Sequence, residues 1–439
     1  VMTIAPALHT DAYAPQSGDA SFDVESYDLT LDYRVRTNRL TGTAVINAVA
    51  LAPTRTLRLD LIGLRASRVR LDGDKRTRFR QGARTLTVTA PAPIEAGERF
   101  SIEVEYAGAP QPRNSRWGRI GWEELDDGAL VASQPTGAPT WFPCNDRPDN
   151  RALYRVTITT DAEYAVAATG VVTSHRIARG RVTISFASEV PTATYLAAVY
   201  IARLRPIEFA VPTGVPGVLV RPPAIAHAVD RAFAEVPRIL EVFSERFGPY
   251  PQEKITIVVV PDELEIPLEA QGMAVFGANH LDEASHRLIP HEIAHQWFGN
   301  SVGIAQWSDI WLNEGFACYA EWLWSQRSGG RSADEWARHY YAKLAAHPVR
   351  VTLVDPGPRK MFDDWVYKRG AITLHALRLR IGDGNFFALL HRWTDKYRYG
   401  TASTEDFIAL AANYSDAPLN DLWQAWLFTP ELPAFPEPS

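Results

Sequence analysis

The stretch PIEFAVPTGVPGVLVRPP, residues 206–223, divides the sequence into two parts with different hydrophobic periodicity. Prolines and glycines interrupt regular secondary structure, so a segment rich in both is typical of a domain boundary. Before it, apolar and polar residues alternate with a period of two, and after it the apolar spacing becomes helical. The sequence therefore predicts an α+β protein with two domains, residues 1–208 and 209–439.

The first part is a series of short strand-like segments. YDLTLDYRV at residues 27–35 alternates apolar and polar side chains, and TRTLRLDLI (54–62) and RFSIEVEYA (99–107) repeat the pattern. Glycine, proline, asparagine and aspartate punctuate the segments between them. Many short alternating strands at this spacing predict antiparallel β-sheets in a sandwich or saddle-like arrangement.

The second part is mainly helical. HAVDRAFAEVPRILEVFSERFG, residues 227–248, has apolar residues at helical spacing and ends at a Gly-Pro pair. KITIVVV (254–260) and MAVFGA (273–278) are predicted strands. SADE (332–335) and STED (403–406) have the residue types of capping boxes, so each predicts the start of a helix.

Composition places limits on the partners and the compartment. Of 439 residues, 46% are hydrophobic and 22% charged, with a formal net charge of -6, which favours neither nucleic acid nor an anionic membrane as partner. There is no apolar run of ~18 residues to predict a membrane span, and residues 1–15 lack the features of a secretion signal. The two cysteines, Cys144 and Cys318, fit a reducing compartment, so we expect a cytoplasmic protein.

The segment IPHEIAHQWFGN, residues 289–300, contains two histidines four positions apart. On a helix, His291 and His295 project from one face, and imidazoles are good zinc ligands. Glu292 is rotated away from that face, so it can accept a proton without being a ligand. An amphipathic helix with a core histidine is the alternative. Pro290 implies that the helix begins near residues 288–290 or that an earlier turn is kinked.

A third ligand is needed for a catalytic zinc site. Glu314 lies 19 positions after His295, with eighteen residues between them, within WSDIWLNEGFACYAEWLW, residues 307–324. A solvated carboxylate at a helix start is the alternative, but Leu312 and Phe316 beside it indicate burial. A buried carboxylate needs a cation or a hydrogen-bond donor, and a zinc ion on the two histidines is such a partner.

This combination closely resembles the zinc signature of the aminopeptidase N family of gluzincin metallopeptidases, including the continuation AHQWFGN. The resemblance implies a thermolysin-like, mainly helical catalytic domain after the N-terminal β domain. It implies one Zn²⁺ per chain, held by His291, His295 and Glu314, with Glu292 as the general base.

The family's exopeptidase motif, Gly-Ala-Met-Glu-Asn, corresponds here to IPLEA, residues 266–270. The resemblance implies that Glu269 binds the free α-amine of the substrate, as a carboxylate in a water-poor cleft can. The other positions depart from the motif, since Ile266-Pro267, Leu268 and Ala270 replace the usual residues. Pro267 has no N–H to offer a substrate, so the grip on the substrate backbone is expected to differ.

Further site residues are also implied by the resemblance. Tyr367, in WVYKRG where the family has Tyr-Glu-Lys-Gly, is the expected hydroxyl donor to the oxyanion, with a core tyrosine as the alternative. Gln134, upstream of FPCNDRP (142–148), is expected to help bind the amine end. Asp309 and Glu321 are candidates to accept the second N–H of a ligating histidine, against helix-end or surface roles.

The sequence therefore predicts a zinc aminopeptidase that removes N-terminal amino acids from peptides with a free N-terminus. A thermolysin-type endopeptidase remains open because the exopeptidase motif is altered, and a catalytically inactive binding scaffold is a more distant alternative. We expect a monomer without a membrane or nucleic-acid partner. The chain ends soon after the expected catalytic domain, so we also expect a short form that lacks the family's C-terminal helical domain.

Overall fold

The computed structural model describes residues 10–212 and 214–436. The chain forms two compact units, Val1–Arg203 and Leu204–Ser439, because most residue contacts lie within one unit or the other. The expectation about a secretion signal rests largely on residues 1–9, which lie outside the described residues. No helix in the described ranges combines the length and the apolar character needed to span a bilayer.

The first unit is built from strands. They are β1 (Phe22–Arg34), β2 (Arg39–Ala50), β3 (Thr54–Asp60), β4 (Arg65–Leu71), β5 (Arg78–Gln81), β6 (Thr85–Ile94), β7 (Arg99–Gly108), β8 (Arg113–Ser115), β9 (Gly118–Leu125), β10 (Gly128–Ala132), β11 (Arg151–Asp161), β12 (Ala165–Ala168), β13 (Val171–Ala178), β14 (Arg181–Ala193) and β15 (Val199–Ala202). The largest sheet has the order β13-β14-β11-β1-β2-β7-β4, and two further sheets have the orders β12-β15-β10-β9-β8 and β3-β6-β5.

The period-two pattern explains how these sheets form a core. Along β1, Tyr27, Leu29 and Leu31 are buried, whereas the residues between them are more exposed. Most neighbouring strands are antiparallel, as predicted, but β1 and β11 pair in parallel. Parallel strands cannot be joined by a tight turn, and here the strands β2 to β10 lie between them in the chain. The N-terminal domain is therefore β-rich, as predicted, with one parallel pair inside its main sheet.

The second unit combines a small sheet with helices. The strands are β16 (Arg205–Glu208), β17 (Gly217–Arg221), β18 (Ile255–Val260), β19 (Leu268–Ala270), β20 (Met273–Gly277), β21 (Gly303–Ile304) and β22 (Thr401–Ala402). The helices are α1 (Ala226–Ala232), α2 (Val236–Phe247), α3 (Leu288–Ala294), α4 (Trp311–Arg327), α5 (Ala333–Ala346), α6 (Asp364–Lys396), α7 (Thr404–Ala411) and α8 (Asn420–Trp426).

The main sheet of this unit has the order β16-β17-β18-β20-β19. Its centre is parallel, since β18 pairs in parallel with both β17 and β20. Every residue of β18 is buried, which is the pattern of a strand covered on both faces. Strand β19 lies at the edge and pairs with β20 through a hairpin.

Most of the predicted elements of the second unit are confirmed. Capping boxes start α5 at Ser332 and α7 at Ser403. The single helix predicted over residues 227–248 is wrong in one respect, because the chain forms α1 and α2 with a break between them. Pro237 lies in the first turn of α2, where a proline starts a helix rather than continuing one. Helix α2 ends at Gly248, whose φ of 99° favours glycine.

Candidate active site

Helix α3 carries the first histidine of the predicted metal site. Pro290 lies in its first turn, where a missing N–H costs no hydrogen bond, so no kink is needed. His291 belongs to this helix, and His295 is its C-cap with helical backbone angles. The N–H of His295 donates to the carbonyl of His291 at 3.3 Å. Both rings therefore project from one side of the helix, and both are buried.

Helix α4 brings Glu314 against the two rings. Its Oε2 lies 3.4 Å from Nε2 of His291 and 3.3 Å from Nε2 of His295. The three side chains are buried, and each offers a ligand atom within 4.8 Å of the other two. The three predicted metal ligands therefore converge on one point inside the second unit.

The remaining ring nitrogens are already engaged. Nδ1 of His291 lies 2.7 Å from Oε1 of Glu321, and Nδ1 of His295 lies 3.0 Å from the carbonyl of Phe298. With Nδ1 engaged by these partners, Nε2 is the nitrogen of each ring that faces Glu314, and it can bind a metal once it has lost its proton. Of the two predicted outer carboxylates, only Glu321 contacts a ligating histidine here. Asp309 instead accepts hydrogen bonds from the N–H and the hydroxyl of Thr404, the first residue of α7.

The electrostatics of this cluster favour positive charge. Burial disfavours ionisation of both histidines, but the carboxylates around them outweigh it and raise the pKa of His291 to about 9 and that of His295 to about 10. Burial likewise opposes ionisation of Glu314, but the facing histidines lower its pKa to about 2. A cation between the two rings is therefore stabilised, as expected for a site that binds a divalent metal.

Glu292 is next to the ligands without being one of them. It is buried, and its Oε2 has no hydrogen-bond partner among the described residues. Burial and the nearby carboxylate of Glu269 raise its pKa to about 8, against the opposing effect of His291. A buried carboxylate oxygen without a partner is unusual in a structural role and suits a group that exchanges a proton.

Glu269 and Tyr367 border the same space. Glu269, on β19, offers a carboxylate oxygen within 4.8 Å of ligand atoms of Glu292 and His295, and it is half-buried. The Tyr367 ring, on α6, stacks on the ring of His291 at 5.9 Å and 11°. Burial, followed by the charge of Glu314, raises the pKa of Tyr367, so its hydroxyl keeps a proton to donate.

Gln134 belongs to the first unit. It lies in the loop that follows β10 (Gly128–Ala132). The second unit alone therefore contains the three ligand candidates, Glu292, Glu269 and Tyr367, whereas the predicted role of Gln134 in binding the amine stays a prediction.

Both units match the same family of proteins. Residues 231–426 match the peptidase family M1 domain, and residues 23–196 match the peptidase M1 N-terminal domain. An M1 zinc metallopeptidase from Deinococcus radiodurans, bound to a Tyr-Ser-Ala substrate, superposes with a TM-score of 0.89. It is 32% identical, and the match covers 98% of this chain and 99% of that one. This chain belongs to peptidase family M1.

Longer members of family M1 are similar over less than half of their own length. Endoplasmic reticulum aminopeptidase 1 of Homo sapiens is 27% identical over 417 residues, which is 87% of this chain and 44% of the relative. Human glutamyl aminopeptidase is 26% identical over 437 residues, which is 91% of this chain and 46% of the relative. The M1 chain thus spans less than half the length of these two curated relatives.

One residue of this M1 site was missed by the sequence reasoning. Arg287, just before α3, donates from Nη1 to Oε2 of Glu321 at 3.2 Å. It therefore helps to hold the carboxylate that orients His291. A signal was present in the sequence, because Glu321 lies in the apolar helix α4 and a buried carboxylate of that kind needs a cationic partner.

Proposed function

We propose that this chain is a zinc-dependent aminopeptidase that removes N-terminal residues from peptides. The observation that carries the proposal is the convergence of three buried ligand atoms, of His291, His295 and Glu314, with two further carboxylates, Glu292 and Glu269, beside His295. The names of its family M1 relatives, which include aminopeptidases and zinc metallopeptidases, support the same activity.

The donor set fits zinc. Two imidazole nitrogens and one carboxylate oxygen are the ligands of many catalytic zinc sites, which keep a fourth position open. His291, His295 and Glu314 would hold the ion, and Glu321 and the Phe298 carbonyl fix the two rings. Bound there, Zn²⁺ would supply a Lewis acid that makes water easier to deprotonate at neutral pH.

The chain's own residues would then move the proton and stabilise charge. Glu292 takes a proton from the attacking water and returns it to the leaving amine, through a buried carboxylate whose Oε2 has no hydrogen-bond partner among the described residues. The Tyr367 hydroxyl donates to the carbonyl oxygen of the substrate as negative charge develops there. Glu292 is buried and Tyr367 is half-buried, so their interactions are stronger there than in water.

Glu269 would make the enzyme an exopeptidase. Its carboxylate pairs with the free ammonium of the substrate, so only a chain that ends at this point can be placed correctly for cleavage. Gln134 is proposed to assist at the same end. A blocked N-terminus leaves the carboxylate of Glu269 without a cation, and that loss is costly in a water-poor site.

The test is a panel of aminoacyl-arylamides with free and N-acetylated amines. We expect the acetylated substrates to be cleaved at least ~100-fold more slowly than the free ones. Chelation should abolish cleavage, and added Zn²⁺ should restore it. Equal cleavage of blocked and free substrates would identify an endopeptidase instead. Absence of both bound zinc and cleavage would identify a non-catalytic scaffold.

A further inference from the structure

The hairpin that carries Glu269 is fastened to the metal-ligand segment by buried side-chain amides. Strand β19 is only three residues long, Leu268–Ala270, and pairs on one side only, with β20. Glu269 lies opposite Ala274 in this pair. A short edge strand has few backbone hydrogen bonds to hold it, so other contacts must fix its position.

Gln296 supplies three of those contacts with one side chain. Its Nε2 donates to the carbonyls of Ala270 at 3.2 Å and Met273 at 3.1 Å. Its Oε1 accepts from the N–H of Gly272 at 2.9 Å. The amide thus engages both arms and the turn of the hairpin, and Gln296 is fully buried.

Asn300 and Gln252 complete this amide lock, which we define as Gln252, Gln296 and Asn300. Nδ2 of Asn300 donates to the Ala270 carbonyl at 2.7 Å and to Oε1 of Gln296 at 3.2 Å. Gln252 donates from Nε2 to the main-chain carbonyl of Gln296 at 2.8 Å, and its Oε1 accepts from Nε2 of Gln271 at 2.9 Å. Buried amide networks of this kind are rigid when their members are paired.

The lock joins two segments that are both proposed to take part in substrate cleavage. Gln296 directly follows the metal-ligand candidate His295, and one of its two acceptors, Ala270, directly follows Glu269. One buried amide therefore connects the group proposed to bind the substrate amine with a group proposed to bind the metal. Within the lock, Gln296 and Asn300 both donate to the main-chain carbonyl of Ala270.

We propose that Gln296 and Asn300 are positioning residues that set the distance between Glu269 and the metal ligands, and thereby the selectivity for a free amine. This inference rests on the proposed aminopeptidase function. Neither residue touches the reacting atoms. A shift of ~1 Å in a substrate-binding group can change rates by ~100-fold, so a loosened hairpin is expected to affect amine recognition first.

Two inhibitors separate amine recognition from metal binding: leucine hydroxamate, with a free amine, and N-acetyl-leucine hydroxamate, without one. We expect the wild type to bind the free-amine compound more tightly. In Gln296→Met, which keeps the side-chain length but removes its hydrogen bonds, that preference should fall ~10-fold. The affinity for the acetylated compound and the zinc content should be nearly unchanged.

The control is Thr394→Val in α6, which removes a buried hydrogen bond to the Phe247 carbonyl without touching the hairpin. It should keep the wild-type preference. If Gln296→Met does not fold, Asn300→Ala carries the same test, because Gln296 then still bonds the hairpin. The positioning role would be refuted if the variant kept the wild-type preference for leucine hydroxamate, including the case in which it lost affinity equally for both inhibitors. A wild type with no preference for the free amine would instead overturn the proposed function, and the lock with it.

Discussion

At the scale of single residues, the neighbours of each acid distinguish its role. Glu314 and Glu292 are both buried, but only Glu314 lies against the Nε2 atoms of the two histidines. Those rings lower the pKa of Glu314, whereas burial raises that of Glu292. The two shifts run in opposite directions, which fits the proposed roles of Glu314 as metal ligand and Glu292 as general base.

Glu292→Gln tests this distinction. Glutamine has nearly the same shape but cannot take a proton, so we expect kcat to fall by at least ~100-fold while zinc stays near one per chain. Steady-state kinetics and metal analysis would measure both quantities. Retention of activity in this variant would refute the assigned base. Tyr367→Phe is the comparison, since it should also lower kcat without loss of zinc.

At the scale of elements, two glycines set how closely helices α4 and α6 approach. Gly315 follows the ligand Glu314, and Gly370 lies one turn after Tyr367. A Cβ built on Gly370 would lie 2.9 Å from the Cα of Gly315, which is closer than such atoms approach. The absence of side chains at this crossing therefore brings the Tyr367 hydroxyl and the Glu314 carboxylate into one site.

Gly370→Ala should separate the two helices. We expect kcat to fall ~10-fold or more because Tyr367 moves away from the metal site, with a lower melting temperature but unchanged zinc content. The control is Gly384→Ala, which lies beyond the non-helical break at Gly382 (φ 80°) within α6 and where an added Cβ meets no atom within 4 Å. Equal kcat values for the two variants would show that the close crossing is irrelevant to catalysis.

At the scale of the whole molecule, the metal cluster and the most perturbed carboxyl pair outside it lie in different units. In the first unit, Asp60 and Asp146 are both buried, and Oδ2 of Asp60 accepts from the N–H groups of Gly18 and Asp146. Burial, followed by the charge of Asp146, raises the pKa of Asp60 to about 7 in spite of these hydrogen bonds. Burial also raises the pKa of Asp146, to about 6.

The first unit should therefore lose stability as the pH rises. The folded state binds the proton of the Asp60 carboxyl more tightly than the unfolded state, in which the pKa of an aspartate is ~4. The contribution of this proton to the free energy of unfolding is therefore fully present below pH ~4. That contribution is lost as the pH rises through the folded value of about 7. The urea concentration at the unfolding midpoint of the first unit, measured by pulse proteolysis, should decrease as the pH is raised from 5 to 8.

In Asp60→Asn the urea midpoint should depend less on pH. The oxygen of the asparagine side chain can still accept the two backbone hydrogen bonds, but the group carries no charge at any pH. The control Asp28→Asn removes a half-buried carboxylate at the surface of the same unit, 3.7 Å from Arg155, and should leave the slope nearly unchanged. A wild-type midpoint that rises between pH 5 and pH 8 would contradict the prediction.

The sequence predicted features that depend on nearby residues. The four-residue spacing places His291 and His295 on one side of a helix, and apolar periodicity predicts where strands and helices form. The capping boxes at Ser332 and Ser403 are equally local, and the structure confirms both. Local spacing was sufficient here because backbone hydrogen bonding and side-chain direction repeat with fixed periods.

The tertiary structure decided what depends on distant residues. Asp309 and Glu321 were equivalent candidates in the sequence, but the fold places Glu321 on His291 and Asp309 on Thr404. The parallel pairing of β1 with β11 and the hydrogen bonds of Gln296 to the β19–β20 hairpin also carry no periodic signal. Such contacts form between segments that packing brings together, so their partners follow from the three-dimensional arrangement and not from spacing along the chain.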